Sequence, residues 1–344
     1  VDELVIKLHS FDPRDLSRAS LAAFAKDVVS MVWAQSAAGL LSDRLSIAAC
    51  RTLLIVGEAL DGAPAVPEVP SLLAHCQGHG SSKEPRVVLE LPDRLVMHKP
   101  PDWQVEPQPL EALGRAEGDR VMVCQAPDLV QFLAALMPRG VILGDAEHHH
   151  GLLHRLDVPS SGLVLSAMTY LAYYDLQLQL STGLLVRDYI ALCHGWLPVE
   201  RREVSAPVRW SRLSRTRSST VDGDQVHGPG GRPSRTRVQL LAHASMGPGA
   251  YSLVGLRIDT GRRHQIRVHT ASIGHPTVCD GKYTSPATFD SDRPWCVRNF
   301  LHRHRLAFRD SAGATQEALE PLPGDLVAAL GRLHPLELGQ RSGR

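Results

Sequence analysis

The residues best suited to chemistry lie at positions 154–157, His154-Arg155-Leu156-Asp157. A carboxylate beside an arginine stays ionised, the state in which it attacks a carbon or takes up a proton. A polar corner follows, Val158-Pro159-Ser160-Ser161, and then Gly162-Leu163-Val164-Leu165, a short apolar run bounded by turn residues. Such a run reads as a buried strand. Pro159 and Gly162 restrict the backbone, so Asp157 is expected on a fixed corner just before that strand. Taken alone, these residues leave open the plainer reading, an ordinary Asp turn.

The elements that must hold this corner form a mixed set. Strands are expected at 87–91, 94–98, 162–166, 187–194, 236–241, 251–258 and 301–308, with helices at 126–137 and 168–180. The fold class is therefore α+β. Leu171, Tyr174 and Leu178 form the core stripe of the second helix. Residues 1–61 read as a small helical segment: Leu21, Phe24, Val28, Val29, Val32 and Trp33 recur at intervals of three and four, and Pro13 stands near a helix start. Residues 62–85, with Pro64, Pro67, Pro70, Gly78 and Gly80, read as a linker and domain boundary. The larger domain then runs over 86–332, and residues 333–344 read as a frayed tail.

Composition bounds the possible partners. The formal net charge of the 344 residues is only +1, so nucleic-acid affinity must come from local clustering. Residues 201–237 supply it, with nine arginines against three acids, and the Gly- and Ser-rich stretch at about 209–235 reads as a flexible basic insertion able to neutralise phosphates. Six cysteines with no CxxC pair suggest free thiols in a reducing intracellular compartment, cytoplasm or organelle. No apolar run reaches the roughly 20 residues of a membrane helix. The chain opens at Val1, so a fragment or processed form stays open. No GxGxxG or GxxxxGK[ST] phosphate loop is present. His148-His149-His150 reads as loop rather than a metal site, because adjacent side chains point apart.

A resemblance sharpens the picture. His154-Arg155-Leu156-Asp157 with Ser161-Gly162-Leu163 resembles the HRLDxxTSGL motif of the RluA-type pseudouridine synthases. Further phrases follow the family's order. Residues 93–101 are similar to its D-x-L-hydrophobic-V-x-N-K-P-x-G phrase, with Asp102 where Gly is usual, so that the turn is expected to differ. Residues 187–195 resemble its K-x-Y-x-A-x-V-x-G strand, with Arg187 in place of Lys. Residues 260–269 resemble TGRTHQIRVH, with Arg263 in place of Thr, and lead into IGHP and DGKY. Residues 300–308 are similar to FLHAxxLxF and 321–325 to PLPxD, so the likeness covers about 86–330.

The resemblance implies the synthase catalytic domain: a mixed, mostly antiparallel sheet with flanking helices and a central cleft. It implies an RNA-modifying isomerase without cofactor or metal, acting as a monomer on rRNA or tRNA and not at a membrane. Asp157 is the implied nucleophile, Arg267 its cationic partner, and Tyr189 the group that lies against uracil and helps remove the C5 proton. Arg155 is implied to displace the target nucleotide, with His154, Lys99, Arg262, His264 and Gln265 lining the RNA site. The alternatives are a catalytically silent RNA-binding relative and a glycoside hydrolase; the latter needs paired carboxylates, which do not cluster around Asp157. The phrase FDPRDLS before a Trp-Ala helix is faintly similar to helical-repeat RNA-binding proteins of organelles, and a structural cap is the plainer reading.

Overall fold

Serine side chains open the two long N-terminal helices. Ser17 accepts the Ser20 amide at the head of α2 (Arg18–Ala37), and Ser42 accepts that of Leu45 at the head of α3 (Asp43–Asp61). Each such cap is worth roughly 1 kcal/mol. A short helix, α1 (Asp2–His9), precedes them. The expected start near Pro13 is displaced by a few residues, to the Ser17 cap, and Asp12 binds Arg14. This computed structural model describes residues 2–14, 16–62, 83–106, 127–138, 140–210, 219–221 and 231–336. Most of the expected linker and the centre of the basic insertion lie outside the described residues.

The chain divides into two compact units. The first comprises Val1–Val158, Leu163–Leu185 and Ala307–Ala318. Its sheet pairs β1 (Arg86–Glu90) antiparallel with β2 (Arg94–Lys99), and β2 neighbours β3 (Ser161–Ala167). The helices are α1–α3, α4 (Leu129–Leu136) and α5 (Tyr170–Ser181). α2 and α3 both pack on α5. That is why α5 buries Tyr170, Ala172, Tyr173, Tyr174, Leu176 and Leu178 rather than one narrow stripe. α3 comes close enough that a Cβ on Gly57 would lie 2.6 Å from the Leu171 Cα. The Asp61 carboxylate accepts the first amides of α5, from Tyr170 at 2.7 Å and Leu171 at 2.9 Å. A carboxylate there satisfies otherwise orphaned donors and complements the helix dipole. Buried Arg94 ties β2 to α5 through Asp175, 2.7 Å away.

The second unit comprises Pro159–Gly162, Val186–Leu306 and Leu319–Arg344. Its strands follow the order β10 (Leu301–Arg309), β4 (Val186–His194), β9 (Gly249–Ile258), β8 (Arg235–Met246), β12 (His334–Leu336). β4 and β8 pair antiparallel with β9, whereas β10 pairs parallel with the start of β3 (His302↔Ser161, Arg303↔Gly162). Leu192, Val254, Val278, Phe300 and Leu326 are buried in this unit. So are the thiols of Cys193 and Cys296, which burial pushes up to about 12.

Every expected strand is present within a few residues. The additional ones are short: β5 (Glu203–Ser205) beside β8, the hairpin of β6 (Val208–Trp210) with β7 (Ser219–Val221) inside the expected flexible insertion, β11 (Thr315–Leu319), and β12 inside the expected tail. Three residues are too few to show alternation. The helix α6 (Gln265–Ser272) was equally hidden, since it is buried from Gln265 through Thr270 and shows no amphipathic period. α7 (Pro286–Asp292) and α8 (Gly324–Leu330) complete the unit. Among the described residues, no helix is long and apolar enough to cross a membrane.

Candidate active site

In the first unit Asp157 lies on an irregular run that is fixed at both ends. Upstream, Leu152 bridges Ser166, and the Leu153 amide donates to the Leu165 carbonyl at 3.2 Å. Downstream, the Val158 carbonyl accepts the Asp102 amide at 2.8 Å and the Lys99 Nζ at 3.2 Å. Lys99 also donates to the carbonyls of Pro100 (2.9 Å) and Trp103 (2.8 Å) and is wholly buried. An ammonium has three donors, and three carbonyls meet them here. Lys99 thus braces the residue after Asp157. Asp102 adopts φ 65°, the left-handed backbone that Gly would favour. Aspartate tolerates that conformation better than most residues.

Asp157 and His154 are half-buried, while Arg155 is exposed. Nearby, burial alone would raise the Glu106 carboxyl, but its bond to His149 and the charges of His149 and Arg155 hold it below its ordinary range. The three histidines lie in a 3-10 segment, Ala146–Gly151, rather than a plain loop, with His149 and His150 at positive φ. Their rings diverge: His148 to Asp145 and Tyr174, His149 to Glu106, and His150 to the Leu143 carbonyl.

In the second unit Arg298 donates to the Pro159 carbonyl (3.2 Å) and to the Ser161 hydroxyl (3.0 Å) while paired with Asp325. Ser161 also meets His302 Nδ1 at 2.8 Å, and His302 Nε2 donates to the Glu320 carbonyl. Burial pushes the His302 ring down to about 4, so it stays neutral. Gly162, at φ 126°, lies so close to β10 that a Cβ would sit 2.3 Å from the Arg303 carbonyl oxygen.

Arg187 and Tyr189 are alternate inward residues of β4, both buried. The Tyr189 hydroxyl accepts from Arg303 twice, from Nε at 2.9 Å and from Nη2. The same guanidinium lies over the phenol ring, 4.9 Å from its centroid. Arg187 donates to the carbonyls of Ile258 and Asp259, so the arginine that replaces the expected lysine ties β4 to the end of β9. Its burial, with Arg303 and Arg262 nearby, pushes it down to about 10.

Arg267 is buried on α6 and clamped by Asp280, Nε to Oδ2 and Nη2 to Oδ1, both at 2.7 Å. It also faces the Tyr283 ring at 5.2 Å. Asp280 belongs to the DGKY phrase, and a buried arginine's need for a carboxylate was the signal that could have singled it out. His264 starts α6 at φ 56° and meets the Tyr283 hydroxyl at 2.8 Å. Gln265 is buried with its whole amide engaged: Oε1 accepts from Thr260 and the Arg262 amide, and Nε2 donates to the Arg235 carbonyl and Thr236. Gln265 thus ties the turn to the start of β8, and Arg262 is half-buried, its Nε donating to the Pro233 carbonyl.

A sequence model of the RNA pseudouridylate synthase family matches residues 93–272. An uncharacterized RNA pseudouridine synthase of Synechocystis sp. is 29% identical over 238 residues, 69% of this chain and 62% of that protein. The ribosomal large subunit pseudouridine synthase D of Nitrosomonas europaea is 35% identical over 52% of this chain and 50% of its own. Its namesake in Haemophilus influenzae is 31% identical over 63% of this chain and 69% of its own. The chain thus spans between half and two thirds of the first two relatives' lengths. The solved structure of human RNA pseudouridylate synthase domain containing 1 matches with a TM-score of 0.55 at 25% identity, over 75% of this chain and 91% of that one.

Proposed function

The chain belongs to the RNA pseudouridylate synthase family, and from that premise we propose that it isomerises uridine to pseudouridine in RNA. The observation that carries this reading is the HRLD corner: Asp157 is half-buried on a run pinned at Leu153 and at Val158. A nucleophile must be held within a few tenths of an ångström of its target, and that bracing supplies the rigidity.

The reaction breaks the bond between C1′ and N1, turns the base, and joins C1′ to C5. No electrons are gained or lost. In this reading Asp157 attacks as the ionised carboxylate and leaves again once the base has turned. Arg267, oriented by Asp280, is the cation that keeps a carboxylate charged when RNA covers the site. Tyr189 takes the C5 proton after the new bond forms. Arg155, exposed on the same run as Asp157, fills the stack left by the displaced nucleotide; unstacking costs a few kcal/mol, which a planar guanidinium partly offsets. Lys99, His264 and Gln265 hold the backbone of the site, and His154, Arg262 and the basic insertion meet RNA phosphates. Ribosomal RNA is the favoured substrate over tRNA, because two relatives are named for the large ribosomal subunit.

The test is incubation of the purified chain with total cellular RNA, followed by mapping of new pseudouridines. New sites that vanish with Asp157→Asn, while RNA binding persists, are expected. An Asn variant that still isomerises would remove Asp157 from its role, and an inert wild type would leave only an RNA-binding relative.

A further inference from the structure

Arg303 carries a full positive charge inside the second unit. It stands in β10 where the FLHAxxLxF phrase carries alanine, is 1% exposed, and lies on the strand next to Tyr189. Burying a guanidinium is costly unless its donors are matched, so its placement calls for a reason. Two of its nitrogens, Nε and Nη2, converge on the single phenol oxygen, and its Cζ lies 4.9 Å from the ring centroid. We propose that Arg303 is a positioning residue that aims the Tyr189 oxygen at C5 of the displaced uracil and balances the charge on that oxygen during proton transfer. The inference rests on the isomerase reading above and deepens it at one step.

The geometry restricts what Tyr189 can do. A phenol oxygen offers one O–H and two lone pairs, and its phenolate a third acceptor direction. Two N–H groups of Arg303 occupy two directions, leaving one. In that direction the phenolate accepts a proton, and the phenol formed points its O–H back along the same line. Arginine does not give up its own proton, so the pair cannot neutralise itself by internal transfer. At the chemical step the C5–H bond breaks, its electron pair forms C5=C6, the C6=N1 pair moves onto N1, which takes a proton from water, and the C5 proton lands on the Tyr189 oxygen, which has first given its own proton to water. Arg187, two residues away on the same face of β4, adds a second positive charge to the surroundings of the phenol. The main chain of Arg303 is equally fixed, paired with Gly162 at the end of the HRLD…SGL motif.

The test compares wild type with Arg303→Ala and Arg303→Lys at the RNA site mapped with total cellular RNA, using transcripts of that site made with 5-protio or 5-deutero uridine. Arg303→Ala installs the residue of the family phrase, which favours folding. The expected result is a single-turnover rate about 100-fold lower for Ala, a typical loss for removing oriented donors at a reacting group. Deuterium at C5 should also slow Ala several-fold more than wild type, because proton removal has become the slow step. Lys should recover part of the rate and a smaller isotope effect. An unchanged rate in Ala, or a lower rate with the wild-type isotope effect, would overturn the inference and leave Arg303 a packing residue. A wild type with no turnover would instead fell the isomerase reading, and this inference with it.

Discussion

Gly162→Ala is the perturbation whose cost the structure defines most closely. At φ 126° the residue lies where an L side chain is strained, at about 1–3 kcal/mol. The added Cβ would then sit 2.3 Å from the Arg303 carbonyl oxygen and 2.6 Å from its amide nitrogen. These are backbone atoms, which cannot rotate aside, so the start of β3 must separate from β10. The pairs at risk are His302↔Ser161 and Arg303↔Gly162, at roughly 1 kcal/mol per lost hydrogen bond. The expected loss is about 4 kcal/mol. Gly183→Ala is the matched control: it is also left-handed, φ 76°, but has nothing within 4 Å of the new Cβ. Backbone strain alone should cost it about 1 kcal/mol. Urea unfolding of both variants, followed by far-ultraviolet circular dichroism, isolates the steric part as the difference between midpoints at constant slope. Equal destabilisation of the two would refute the close approach of β3 to β10. Because Arg303 is the residue displaced, the Gly162 variant should also lose isomerase activity under conditions where it remains folded.

Two further outcomes follow from buried groups. Lys99→Met leaves three carbonyls without their ammonium while relieving its desolvation, for a net loss of about 2–4 kcal/mol. Since the Val158 carbonyl, left with the Asp102 amide alone, adjoins Asp157, single-turnover rate should fall much further than RNA affinity, and equal losses in filter binding and turnover would count against the brace. His302 is neutral in the folded chain, its ring pushed down to about 4 chiefly by burial, while the unfolded chain binds the proton near the ordinary value of about 6.5. The unfolded state therefore holds more protons between those values, and the contribution of His302 is complete above about pH 6.5. It is lost as pH falls towards 4, up to about 3 kcal/mol. His302→Gln should flatten the stability–pH curve in that window, and parallel curves would show that the ring titrates alike in both states.

What could be read from sequence followed from how local each signal is. Strands such as β4 and β9 alternate over nine or ten residues, so their pattern survives without the fold. The HRLD corner announced itself because Pro159, Gly162 and Asp157 lie within six residues. Arg303 and Asp280 were missed for the opposite reason. Arg303 reaches Tyr189 across 114 residues of chain, and Asp280 reaches Arg267 across a helix that shows no period. The resemblance places Lys99 and Gln265 in the RNA site, and the bonds they make to backbone carbonyls and neighbouring hydroxyls are visible only in the fold. Local pattern locates a charged residue; its role depends on partners set by topology.

The carboxylate of Asp61, holding the first two amides of the helix after the motif strand, has an evolutionary consequence. A recognition module tethered by a flexible string can be traded between enzymes with little penalty. Here the donor end of one element is completed by the acceptor end of another, and Gly57 admits the neighbouring backbone at a distance no larger residue would allow. The amino-terminal helices and the helix they cap must therefore diverge in concert, and grafting them onto a family relative would require carrying both halves of that fit.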